Sequence, residues 1–175
     1  MKTVTLTEDD RKGVAHILNE NLCDEYVLYT KTRNFHWNVT GPDFSELHAF
    51  FRQQYQELDE IVDKVAERAR TTGGWALGTL AEFGERTRLK EMPGTYPDAP
   101  RMLAELASDH EAIARRLRND IATCEAKYHD PATANFLTEM LEEHEKMAWM
   151  LTAHVTAAPG EKARSFVTGG RDIGG

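Results

Sequence analysis

Two carboxylates, Asp63 and Glu67, stand four residues apart in Val62-Asp63-Lys64-Val65-Ala66-Glu67-Arg68, and two imidazoles precede them, in Phe35-His36-Trp37-Asn38-Val39 and in Leu47-His48. Side chains one helical turn apart share a helix face, so the two acids form one oxygen-donor pair. Imidazole nitrogen combined with carboxylate oxygen suits iron(II), manganese or zinc. Neither cysteine, Cys23 or Cys124, falls near this group, which argues against a structural zinc site or an iron–sulfur cluster.

How these groups can meet depends on the helix that carries most of them. At about 100° per residue from His48, Arg52, Gln56, Asp59 and Asp63 fall within roughly 80° of it and Glu67 within about 100°. The stripe Leu47, Phe50, Phe51, Leu58, Ile61, Val62, Val65 and Ala69 occupies the opposite side. A solvated face would give the same polar ribbon, and His48 on that ribbon is what points to chemistry. His48 and Asp63 are nonetheless about 22 Å apart along one straight helix, too far to share an ion. Two copies of the helix packed antiparallel about a two-fold axis bring His48 of one subunit to Asp63 and Glu67 of the other, and form the site twice. His36 can join because Gly41-Pro42 reverses the chain between the two histidines. The competing reading for His36 is a structural histidine with its hydrogen bonds satisfied. The expected centre is a metal site at a dimer interface.

The elements that position it read as helices throughout. Thr7 with Glu8, Asp9 and Asp10 caps a first helix running to about Trp37, along Val14, Ile17, Leu18, Leu22, Tyr26 and Tyr29. Ser45 is the expected cap of the second, which Gly73-Gly74 ends near Thr72. Residues 75–97, rich in Gly and Pro, form a long crossover with a brief helix around Leu77, Leu80 and Phe83. Asp98 or Pro100 opens a third long helix, and Asp130-Pro131 opens a fourth. No alternating strand pattern persists. The fold is therefore expected to be all-α, a ferritin-like four-helix bundle with a short helix in the long connection between helices 2 and 3. A single domain over residues 1–175 is expected, with the bundle over about 7–157 and a mobile tail over about 158–175.

The chain has 175 residues, with 21 Lys plus Arg against 29 Asp plus Glu, and its net charge of -8 repels polyanions and attracts cations. Two isolated cysteines suit buried thiols in a reducing compartment, so the expected setting is the cytoplasm. Neither a membrane span nor a signal peptide is visible.

The ordered run Phe35-His36-Trp37-Asn38-Val39-Thr40-Gly41, then Leu47-His48, then Asp63-Lys64-Val65-Ala66-Glu67-Arg68, resembles the signature of the Dps family, the mini-ferritins. The resemblance covers roughly Thr7 to Val155. It implies a hollow homododecamer that oxidises iron(II), characteristically with hydrogen peroxide, and stores iron(III) mineral inside. It implies His36 and His48 as ligands from one subunit, Asp63 and Glu67 as ligands from its two-fold partner, and Trp37 beside the centre as a radical quencher, with plain packing as that residue's other reading. Arg52 departs from the pattern: family members commonly carry an acid four residues after the second histidine, and a fixed positive charge cannot ligate a second ion. Glu139, Glu142, Glu143 and Glu145 are candidates for the cavity face or the solvent, and Asp130 for a pore.

Other classes fit less well. An iron or heme centre inside one bundle would use Glu-x-x-His pairs, and the sequence contains none; no heme is expected. DNA compaction would draw on basic tails, and only Lys2 at one end and Lys162, Arg164 and Arg171 at the other are available. A helical interaction module without catalysis would use the same ribbon for dimerisation. His16, His110, His129, His144 and His154 show no spacing that demands chemistry.

Overall fold

The structure is a computed structural model that describes residues 6–156. Among the described residues there are five helices and no strand: α1 (Glu8–Asn38), α2 (Phe44–Thr71), α3 (Leu80–Arg86), α4 (Ala99–Ala126) and α5 (Pro131–Thr156). The four long helices form the bundle, with α1 packed on α2 and α4 on α5, and α3 lies in the crossover. The expected mobile tail and its basic residues lie outside the described residues.

Capping chemistry sets most of the boundaries. The Thr7 hydroxyl accepts from the Asp10 N–H at 3.1 Å, Asp98 accepts from Arg101 at 3.1 Å, and Asp130 accepts from Thr133 at 3.1 Å. Thr79 and Glu82 close a reciprocal capping box at the start of α3. Ser45 does not cap α2. The Gly41 carbonyl accepts from the Phe44 N–H at 3.2 Å, so the tight turn has already passed into helix at Phe44, and Asp43 holds the cap position without a side-chain bond. Gly41 has φ 120°, a conformation strained for any other residue, and it lets α1 reverse into α2 within five residues. Gly74 is needed for space, because a Cβ there would stand 2.5 Å from the Ala15 Cβ.

The buried stripes match the expected ones, from Val14, Leu18 and Leu22 on α1 to Leu137, Met147 and Leu151 on α5. Cys23 and Cys124 are free and buried, and burial pushes their thiol pKa values up to about 11 and about 12. The crossover is fastened by Asp24, fully buried on α1. Its carboxylate accepts from the Arg88 N–H at 2.6 Å, Arg88 Nε at 2.8 Å, the Thr87 hydroxyl at 3.0 Å and Arg116 Nη1 at 3.0 Å. Asp130 is likewise buried, between Thr133 and the Arg68 guanidinium at 3.4 Å, so it locks α5 to α2 and is not a free pore carboxylate. No described helix is long and apolar enough to cross a membrane.

Candidate metal centre

Where α1 turns into α2, His36 and His48 come face to face. Their rings stack with centroids 3.7 Å apart and planes 26° from parallel. Each Nδ1 lies against the other residue's backbone carbonyl, His36 Nδ1 at 2.7 Å from the His48 oxygen and His48 Nδ1 at 2.8 Å from the His36 oxygen. A carbonyl only accepts, so both Nδ1 atoms carry protons and, in the neutral rings, both Nε2 atoms carry lone pairs. The His36 carbonyl belongs to the last turn of α1, where no intrahelical donor reaches it, and the bond from His48 satisfies it.

The surroundings orient the pair and disfavour charge on His36. Burial lowers the pKa of His36; the hydrogen bond to the His48 carbonyl opposes this, and nearby His48, Arg52 and Arg33 add to the lowering. Phe44 flanks His48 at 5.2 Å and Tyr55 meets His36 edge-on at 5.3 Å, which closes a four-ring column. The Arg33 guanidinium lies over Trp37 at 5.4 Å and over Tyr55 at 5.4 Å. Trp37 is 63% exposed, so core packing within the subunit does not account for it.

Asp63 and Glu67 do not join the histidines within one chain. They are exposed on the outer ribbon of α2, with Arg52, Gln56 and Asp59. Among the described residues no three His, Cys, Asp or Glu side chains gather closely enough to hold an ion. One subunit thus offers a nitrogen pair at one end of α2 and an exposed acid pair further along it.

Sequence reasoning left several neighbours unmarked. Phe44, Tyr55 and Arg33 carry helix-typical spacing that reads as ordinary packing. His110 and His144 show no spacing that links them, yet both are fully buried and their Nδ1 atoms lie 2.9 Å apart, with His144 Nε2 2.8 Å from Glu25 Oε1. Burial and the adjacent His144 hold the His110 pKa well below the usual imidazole range. Each of the three sits inside an apolar stripe, and their separations in the chain, 34 and 119 residues, carry no local signal.

The family model for the ferritin-like domain matches residues 15–159. The chain is 41% identical over 158 residues to an uncharacterised low-temperature-induced protein of Nostoc, covering 90% of this chain and 88% of that protein. It is 37% identical to the DNA protection during starvation protein of Brevibacillus brevis, over 80% of this chain and 93% of that protein. Among solved structures, DpsC of Streptomyces coelicolor superposes with a TM-score of 0.87 at 31% identity, covering 93% and 94% of the two chains. The Dps of Bacillus brevis superposes with a TM-score of 0.80 at 34% identity, covering 89% and 99%. The chain belongs to the Dps family of the ferritin superfamily.

Proposed function

We propose that this chain oxidises iron(II) and stores the iron(III) product inside a hollow homododecamer in the cytoplasm, with hydrogen peroxide as the working oxidant. One observation carries the reading: the Nδ1 protons of His36 and His48 are committed to backbone carbonyls, so two Nε2 lone pairs from adjacent helices are available to an ion. Asp63 and Glu67 of the partner subunit complete the set when two α2 helices pack antiparallel. Their carboxylates favour iron(III) over iron(II) as charge builds.

Iron is the substrate. Peroxide accepts one electron from each of two donors and, with two protons, leaves as two waters, so that no hydroxyl radical is released. The second electron comes from a second iron(II) or from Trp37, which is exposed beside the pair. Protection of DNA, for which several relatives are named, follows from removing iron(II) and peroxide together, without contact with DNA; the charge of -8 disfavours such contact.

The test mixes metal-free protein with iron(II) and then with peroxide or oxygen, following iron(III) absorbance. Peroxide is expected to give the faster phase, and Asp63→Ala or Glu67→Ala to abolish it. Full activity in those variants would place the centre elsewhere. Size measurement separates a twelve-subunit shell from a 19.8 kDa monomer.

A further inference from the structure

A line of touching rings leads away from the His36–His48 pair. Tyr55 of α2 meets His36 edge-on at 5.3 Å, and Tyr29 of α1 meets Tyr55 at 6.1 Å with planes 83° apart. Tyr26 follows at 5.8 Å from Tyr29, and Phe83 of α3 stacks on Tyr26 at 4.2 Å. All of these are separations of rings in direct contact. Tyr26 stands about 15 Å along α1 from His36, so the line runs from the candidate centre to the crossover.

Phenylalanine would make the same ring contacts, yet three positions in a row carry a phenol. Tyr26 and Tyr55 are half-buried, and in one subunit neither hydroxyl is sealed from water. Tyr29 is the one of the three whose oxygen takes a hydrogen bond, donated by Arg33 Nη1. That oxygen keeps a donor when its own proton leaves. Phenols so placed can give up an electron together with a proton.

The candidate centre has a use for such an electron. Peroxide needs two, and one iron(II) supplies one. Arg52 stands one turn beyond His48 on the ribbon, where its positive charge repels a second cation. Tyr55 is the redox-active side chain in ring contact with His36, whereas Trp37 meets Tyr55 across the Arg33 guanidinium, 5.4 Å from each ring.

We infer that Tyr55 supplies the second electron of peroxide reduction and that Tyr29 and Tyr26 carry the resulting radical away from the centre. The inference rests on the iron-oxidising reading above. Iron(II), the Tyr55 phenol, one peroxide and one proton give iron(III), a Tyr55 phenoxyl radical and two waters. The O–O bond breaks, the iron and the phenol each lose one electron, and the phenol proton joins the water formed. Tyr29 then passes a hydrogen atom's worth of charge, one electron and one proton, to Tyr55, and Tyr26 does the same for Tyr29. A later iron(II) returns an electron along the line, a proton restores the phenol, and two iron(II) have been oxidised per peroxide.

The experiment loads the assembled chain anaerobically with one iron(II) per centre, mixes it with peroxide, and reads freeze-quenched samples by electron paramagnetic resonance. Iron(III) absorbance is followed in parallel. A phenoxyl signal is expected, with a line shape that changes with quench time as the radical moves. It is expected to disappear in Tyr55→Phe, to persist in Trp37→Phe, and to keep one unchanging line shape in Tyr29→Phe, where the radical is confined to Tyr55. Ring-deuterated tyrosine in the wild-type chain is expected to narrow the signal, which decides between tyrosine and tryptophan where Tyr55→Phe does not fold. Iron(III) formation without a phenoxyl signal, a signal that deuterated tyrosine leaves unchanged, or one that survives Tyr55→Phe overturns this inference and leaves the iron-oxidising reading in place. Absence of iron(III) formation overturns both.

Discussion

His36 and His48 hold one another: the rings stack at 3.7 Å, and each donates its Nδ1 proton to the other's backbone carbonyl. The end of α1 and the start of α2 are thereby joined, and both tautomers are fixed without any acidic side chain. His48→Phe keeps a ring for the stack but leaves the His36 carbonyl without its donor. A loss of about 1–2 kcal/mol in urea unfolding is expected, together with loss of the fast iron(II) phase in stopped-flow absorbance. A variant with wild-type kinetics would remove His48 from the centre.

Arg52 is exposed on the ribbon of α2, and its charge is felt at His36. Replacing it with an acid turns a repulsive neighbour into an oxygen donor. Arg52→Asp is expected to raise the number of iron(II) ions bound per site in anaerobic titration. An unchanged stoichiometry would show that Arg52 does not limit the second position.

Asp24 ties Thr87 and Arg88 of the crossover to Arg116 of α4 from a fully buried position. Asp24→Ala leaves two partly buried guanidinium groups without their carboxylate. Urea unfolding is expected to show a loss of about 3 kcal/mol, and limited proteolysis to cut first between residues 75 and 98. Protection equal to wild type would mean that the apolar contacts of Phe83 and Leu89 hold the crossover alone.

Burial raises the pKa of Asp120 above the ordinary value of 3.8, although the bond from Asn21 pulls the other way. A carboxyl group with a raised native pKa binds protons more tightly folded than unfolded, so its ionised form weakens the fold as pH climbs through that native value. Asp120→Asn removes the effect while keeping an oxygen for Asn21. Its urea midpoint is expected to exceed wild type at pH 7, with the difference shrinking as pH falls towards 4. A constant difference would assign the effect to packing.

Much of this architecture was legible because it is local. The helices announce themselves through apolar recurrence at three and four residues, and Thr7, Asp98 and Asp130 announce their starts. His36 and His48 were readable as a pair because one glycine turn separates them. Ser45 is not the cap because the Gly41 turn enters helix two residues earlier than a Ser45 cap would, a detail of backbone closure that side-chain preference does not encode. The Asp24–Arg88 clasp and the Glu25–His144–His110 line were not legible, since their partners lie 64, 119 and 34 residues apart and their types look like ordinary surface or core choices. Asp63 and Glu67 were readable as a pair on a face, and the surface that the proposed centre has them meet belongs to another copy of the chain.

Mixing two inactive variants tests that last point most directly. A His36→Ala/His48→Ala subunit keeps the acids, and an Asp63→Ala/Glu67→Ala subunit keeps the imidazoles. Refolded together in equal amounts, half of their random two-fold pairs are mixed, and each mixed pair holds one complete centre. Fast peroxide-dependent iron(II) oxidation is therefore expected to return to roughly a quarter of wild type, while each variant alone shows none. A mixture as inactive as its components would contradict a centre shared between subunits.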